Sequence, residues 1–199
     1  MPARIGGVLL AAGSGSRLGQ PKALVELAGQ SLAARGVALL RAGGADPVVV
    51  VTGAAAVELP DVQSVRNTRW REGMGSSFAA GLTALPDGCA AAVVALADQP
   101  LVGAASVRRL IAAYEAGAAV AVAAYDGQPR NPVLLAREHW AAAIALATGD
   151  VGARPFLRAH PELVTLVECG DTGSPDDIDT PGDLERVTRL LPGTPGVPG

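Results

Sequence analysis

At 199 residues, with 49% hydrophobic residues and a mean hydropathy of +0.31, the chain is long and apolar enough to bury one full core without staples. A formal net charge of -3, from 16 basic and 19 acidic residues with no Lys/Arg block, excludes the basic footprint of a nucleic-acid binder. Two cysteines without CxxC spacing (Cys89 and Cys169) and only two histidines exclude a structural zinc site, and no apolar run approaches the roughly 20 residues of a membrane span. The expectation is a cytoplasmic protein with reduced thiols, no secretion signal and no membrane partner.

In chain order, residues 5–12 form an apolar run followed at once by glycine-rich polar sequence, which predicts a buried first strand ending in a functional loop. Residues 32–42 predict a helix stopped by Gly43 and Gly44. Residues 47–52 (PVVVVT) predict a strand, parallel because it is apolar on both faces, and 62–66 a short third strand. A helix is expected over 76–85 and a buried strand over 91–97, with Asp98 at its tip. Then come a helix at 104–115, a strand at 118–124, a turn at 126–131 and a short strand at 132–136. Helices at 137–147 and 153–160, a strand at 163–167 and a helix at 181–191 complete the domain, 1–191. The tail, 192–199, with three prolines and three glycines, is expected to be flexible.

Strands alternating with helices predict an α/β fold, a three-layer α/β/α sandwich around a mostly parallel central sheet. Ligands of such folds gather beyond the carboxyl ends of the strands. Three polar clusters fall there: 13–22, 69–77 and 98–100.

In the first cluster, Gly13, Ser14 and Gly15 let the backbone turn N–H groups toward an anion. Arg17 offers a bidentate fork and Lys22 a point charge, a combination suited to a triphosphate. A dinucleotide fingerprint fits poorly, since the third glycine comes one residue late and Pro21 stands in the supposed helix. In the second cluster, Gly75, Ser76 and Ser77 offer hydroxyls and free N–H groups at a helix start, as an anion pocket or as a plain cap. In the third, Asp98 at a strand tip is a candidate Mg²⁺ ligand, or the cap of the following turn. Trp70 and Trp140 read as packing residues, and His139 and His160 as helix-surface residues.

Leu10–Lys22 resembles the Leu-Ala-Ala-Gly-x-Ser/Gly-x-Arg-x-Gly-x-Pro-Lys signature of the molybdenum cofactor cytidylyltransferases, molybdopterin nucleotidyltransferase-like enzymes. Residues 73–82 (GMGSSFAAGL), 96–100 (LADQP), 149–154 (GDVGAR) and 178–184 (IDTPGDL) resemble that family's further motifs, in the same order. The resemblance implies a Rossmann-like, GT-A-like nucleotidyltransferase fold. It implies that Leu10, Ala11 and Ala12 underlie the nucleobase, that Arg17 and Lys22 act on the triphosphate, and that Gly75, Ser76 and Ser77 shape the nucleotide and acceptor pocket. It further implies that Asp98 binds the metal with Asp179 as second ligand or acceptor-orienting group, and that Asp183 caps the last helix.

Residues 125–140 resemble the family's pterin-facing segment, with Arg130 and Asn131 where glycine and histidine are usual. Those two side chains are candidates for the acceptor phosphate, as is Arg154, for which an ion pair with Asp150 is an equal role. The implied reaction transfers CMP from CTP to molybdenum-bound molybdopterin with Mg²⁺, releasing pyrophosphate. A molybdoenzyme or its maturation chaperone is the implied recipient. The alternatives are GTP or another phosphorylated acceptor, a dinucleotide-dependent oxidoreductase, and a non-catalytic pterin-cofactor chaperone.

Overall fold

The computed structural model describes residues 3–191; the expected flexible tail, 192–199, lies outside them. The first strand, β1 (Arg4–Ala11), is buried along all but its first residue. A 3-10 turn (Lys22–Leu24) leads to a small antiparallel hairpin, β2 (Glu26–Leu27) and β3 (Gln30–Ser31), which the apolar pattern did not signal because each strand is two residues long. Helix α1 (Leu32–Ala42) starts where the Ser31 hydroxyl accepts from the Ala34 N–H and ends at Gly43, with Gly44 at positive φ just beyond.

There follow β4 (Val48–Thr52), β5 (Gln63–Arg66), α2 (Met74–Ala84), β6 (Cys89–Leu96), α3 (Ala104–Glu115), β7 (Val120–Tyr125) and β8 (Gln128–Ala136). A 3-10 turn (Arg137–His139) precedes α4 (Trp140–Leu146), so the helix expected over 137–147 is two pieces. Helix α5 (Arg154–Ala159), β9 (Val164–Glu168) and α6 (Pro181–Leu190) close the described chain.

Seven strands form one sheet in the order β5-β4-β1-β6-β8-β7-β9. β1 pairs in parallel with β4 (Leu9↔Val50) and with β6 (Leu9↔Ala95), and β7 in parallel with β9. β8 alone is antiparallel to its neighbours, β6 and β7. The expected turn at 126–131 is shorter than predicted: Asp126 and Gly127 alone carry positive φ, and Arg130 and Asn131 belong to β8. The pairing of β7 with β8 shifts register between Val122 and Ala124, so Arg130, Asn131 and Pro132 bulge between the paired Pro129 and Val133.

Successive side chains of β1 point to opposite faces and build two cores. Leu9 packs with Val37, Leu40, Val107 and Leu110 on the α1/α3 side, and Val8 with Phe78, Leu82, Trp140 and Phe156 on the α2/α4/α5 side. With 3% aromatics, close approach replaces bulk: Gly36 of α1 faces Leu9 and Gly81 of α2 faces Val8, each without room for a Cβ. A third cluster, Val25, Leu27, Leu32, Ile178 and Val187, ties α6 to the small hairpin and to the start of α1. Among the described residues no helix is long and apolar enough to cross a membrane.

Candidate active site

β1 and β6 are sheet neighbours, so their carboxyl ends deliver the glycine-rich loop and Asp98 to the same edge. After Ala11 the chain turns back on itself, with the Leu18 N–H donating to the Gly15 carbonyl and the Lys22 N–H to that of Gly13. Gly15 is required here: its φ is +59°, and a Cβ would run into the carbonyl of Gln20. No helix opens after the third glycine, and Lys22 begins a single 3-10 turn behind Pro21.

That turn aims Lys22 into the site. Its Nζ donates to Asp98 Oδ2 at 2.6 Å and to Asp179 Oδ1 at 2.5 Å, with the lysine and Asp98 side chains each 19% exposed. Arg17 reaches the second oxygen of Asp179 at 3.2 Å from a more exposed position. Lys22 is the only lysine in the chain. Burial pulls its ammonium down, but the charges and hydrogen bonds of Asp98 and Asp179 outweigh that, and its pKa is raised. The hydrogen bond from Lys22 in turn holds the Asp179 carboxyl below its ordinary value.

A cleft of about 540 Å³ opens above this cluster, with Leu10, Ala11, Ala12, Gly13 and Ser14 on one side and Ser77 on another. Ser77 is buried and accepts from Asn67 Nδ2 at 3.0 Å. The same amide donates to Ser76 Oγ at 2.8 Å, and Asn67 Oδ1 accepts from the Arg69 N–H. Trp70, Arg71, Met74 and Asp150 also line the cleft, with the Arg71 guanidinium 4.6 Å from the Trp70 ring centroid. Trp70 thus both packs, its Cβ filling the place of a side chain at Gly53, and faces the cleft. Trp140 is core, its indole N–H donating to the Leu135 carbonyl.

The other motif residues stand elsewhere. Helix α2 begins at Met74, so the three small residues lie inside its first turns. The Gly75 N–H is taken by the Gly149 carbonyl, and the Ser76 hydroxyl turns to the carbonyls of Arg69 and Gly73. Both residues line a separate hollow between α2 and α4. Arg154 is exposed at the start of α5, with no ion pair to Asp150 among the described residues. Arg130 is exposed on β8, its guanidinium donating to the Pro129 carbonyl, and Asn131 stands beside it. Asn67 and Gln99 were not singled out from sequence, and Asp150 was named only as an ion-pair partner for Arg154. Their only signal was a polar residue just beyond a strand or inside a recognised motif.

Among the described residues no group of three or more His, Cys, Asp or Glu is placed to hold a metal ion by itself. Thr180 is the cap of α6, its hydroxyl accepting from the Asp183 N–H, and Asp183 completes the capping box with its carboxylate accepting from the Thr180 N–H.

A glycine-rich loop, a lysine and two carboxylates meeting at the carboxyl edge of such a sheet define a nucleotidyltransferase. The family of MobA-like NTP transferase domains matches residues 7–164, and the chain belongs to that family. It is similar to the "Nicotine blue oxidoreductase" of Paenarthrobacter nicotinovorans (37% identity, 93% of this chain and 95% of the relative). It is also similar to the "Purine catabolism protein PucB" of Bacillus subtilis (29% identity, 93% and 96%). A crystal structure of an Rv0371c homologue from Mycobacterium sp. strain JC1 superposes with a TM-score of 0.81 at 30% identity, covering 96% of this chain and 98% of that one. The Rv0371c complex with manganese from Mycobacterium tuberculosis superposes with a TM-score of 0.71 at 25% identity, over 96% and 100%.

Proposed function

We propose that this chain transfers a nucleoside monophosphate from a nucleoside triphosphate to the phosphate of a small acceptor, releasing pyrophosphate, with the acceptor not restricted to a pterin. The observation that carries this reading is the Lys22 bridge between Asp98 and Asp179 beneath the glycine-rich loop. An oxygen of the acceptor phosphate forms the new bond to the α-phosphorus, and the bond from that phosphorus to the pyrophosphate oxygen breaks. The acceptor phosphate is ionised near neutral pH, so no side chain needs to take a proton. Lys22 and Arg17 move onto the phosphates and stabilise the charge of the leaving pyrophosphate.

The residues present fit a divalent cation. Two carboxylates converge on one point, and Mg²⁺ is commonly held by one or two carboxylates plus substrate phosphates and water. Asp98 and Asp179 would hold it, and it would supply charge stabilisation to the phosphoryl oxygens. The manganese complex of the Rv0371c protein supports this assignment.

Among donor and acceptor pairs, CTP with molybdenum-bound molybdopterin is the one the Leu10–Lys22 signature suggests. The two near-full-length relatives are named for nicotine blue and for purine catabolism, which supports the alternative of GTP or another phosphorylated acceptor. We assign 1–191 as one catalytic domain acting in the cytoplasm, with a molybdoenzyme or its chaperone as recipient only if the pterin pair is active. The test is pyrophosphate release from CTP, GTP, UTP and ATP, each with Mg²⁺ and a panel of sugar phosphates and molybdenum-loaded molybdopterin. Release with CTP and the pterin alone selects the cytidylyltransferase. Release with another pair names the acceptor class, and silence across the panel beside an active control enzyme refutes the reading.

The name of the Paenarthrobacter relative favours a second reading, an oxidoreductase. The 3-10 turn at Lys22–Leu24, where a dinucleotide fingerprint needs a helix, opposes it. Saturable NADPH or NADH binding by protein that binds no nucleoside triphosphate would establish it.

A further inference from the structure

Asp98 and Asp179 reach the site by different means. Asp98 follows β6 in the centre of the sheet, so the strand ladder fixes it. Asp179 arrives on a stretch between β9 and α6 that belongs to no strand or helix. Its place depends on what that stretch touches, and it touches the loop after Asp98.

The contacts run along both segments. The Ser174 N–H donates to the Leu101 carbonyl at 3.0 Å and the Ile178 N–H to the Asp98 carbonyl at 2.8 Å. Between these two backbone bonds sits one side chain. Gln99 Nε2 donates to the Pro175 carbonyl at 3.0 Å and to Asp177 Oδ1 at 2.8 Å. The two stretches lie flush: a Cβ on Gly103 would strike the Thr172 carbonyl, and one on Gly173 that of Leu101. Ile178, fully buried against Val25, Leu27 and Leu32, pins the segment from its other side.

Gln99 is 6% exposed, and its Oε1 is buried without a hydrogen-bond partner among the described residues. An orphaned buried acceptor costs stability, so the fold alone gives no reason for a carboxamide here. The two hydrogen bonds from the nitrogen give one. They also explain why the donor is neutral: a lysine or arginine would set another cation beside Asp98 and Asp179 and compete with Lys22 for them.

We propose that Gln99 is a positioning residue, whose amide holds the 175–179 segment through Pro175 and Asp177 and so sets Asp179 at the distance from Asp98 that lets one cation bridge both. It touches neither substrate nor metal and acts through Pro175 and Asp177. The kinetic arm of its test rests on the nucleotidyl-transfer reading, whereas the spectroscopic arm does not.

Because Lys22 is the only lysine, protein grown on ¹³C-lysine gives NMR signals from one lysine side chain, which reports the carboxylate pair directly. The variants are Gln99→Met, which keeps length and loses the donors, Asp177→Ala, which removes the carboxylate, and Asp177→Asn, which keeps an oxygen for Gln99. In Gln99→Met and Asp177→Ala the Lys22 Cε–Hε signal moves to the free-lysine position. In Asp177→Asn it stays where the wild-type protein has it. Transfer by the first two falls about tenfold or more in kcat while the nucleotide KM changes about threefold or less. A Lys22 signal unmoved in a folded Gln99→Met or Asp177→Ala protein overturns the proposal, whatever the kinetics. Should Gln99→Met not fold, the Asp177 pair decides alone. Absence of transfer by the wild-type protein would refute the nucleotidyl-transfer reading and leave the Lys22 measurement to decide this one.

Discussion

Asp98 and Asp179 share one ammonium, with Lys22 Nζ 2.6 Å from the first carboxylate and 2.5 Å from the second. A divalent metal would seek the same oxygens, so lysine and metal compete until a triphosphate draws the lysine away. The expected consequence is that Lys22→Met binds Mn²⁺ about tenfold more tightly than the wild-type protein when no nucleotide is present, while losing transfer. Electron paramagnetic resonance of free Mn²⁺ measures this, and equal or weaker binding by the variant would contradict it.

Asp98→Asn should abolish transfer, by about a thousandfold or more, with the thermal melt unchanged. The side chain is exchanged for one of equal size at the end of a strand whose register does not depend on it. Pyrophosphate release at saturating Mg²⁺ is the assay, and a fully active variant would remove Asp98 from the mechanism.

Asp183 carries a stability prediction with a defined pH window. Hydrogen bonds from the Thr180 hydroxyl, and from the N–H groups of Asp179 and Thr180, lower its carboxyl from 3.8 to about 2. A carboxyl lowered on folding stabilises fully above its unfolded value and ceases to do so as pH falls through its folded value. The cap of α6 therefore weakens between about pH 4 and pH 2, and Asp183→Asn should flatten the melting temperature across that range. Thr180→Ala should cost about 1 kcal/mol at neutral pH, read from urea unfolding.

Gly73→Ala probes the wall opposite the phosphate loop. Gly73 has a φ of +109°, and a Cβ there would enter the backbone of Gly149 and come within 2.8 Å of the Asp150 nitrogen. The substitution should cost about 1–3 kcal/mol in urea unfolding and raise the nucleotide KM, since Met74, Ser77 and Asp150 move with that contact. An unchanged KM would show that this wall does not meet the nucleotide.

The residues legible in the sequence were those whose role follows from chain position. Helix α3 fell on its expected limits because Gly103 and Gly117 bracket an apolar 3.6-residue repeat. Lys22 and Asp98 were legible because each stands just past a strand or loop that carries chemistry. The residues that depend on which way a side chain turns were not. Gly75 and Ser76 lie beside Ser77 in sequence, yet the rotation of the helix from one residue to the next turns them to another face. Gln99 and Asp177 meet only after the chain has folded. The Asp126–Gly127 pair is a strong short-hairpin signal, yet the expected turn ran on to residue 131, because the polar stretch 128–131 with its Pro129 lacks the apolar pattern of a strand.

β8 is the antiparallel strand of the sheet, and it enters from the edge where the cleft opens. The two-residue turn before it projects past the last paired residues, Tyr125 and Gln128, and is tethered from outside by the Glu168 carboxylate, which accepts from the Asp126 and Gly127 N–H groups. Residues could be added at this tip without shifting β1 or β6, whose partners are fixed elsewhere along the sheet. The architecture thus separates the strands that carry the Lys22–Asp98 pair from a turn whose length no strand pairing fixes. A change of length at this fingertip therefore leaves the Lys22–Asp98–Asp179 cluster where it stands, because none of its three residues is carried by the turn.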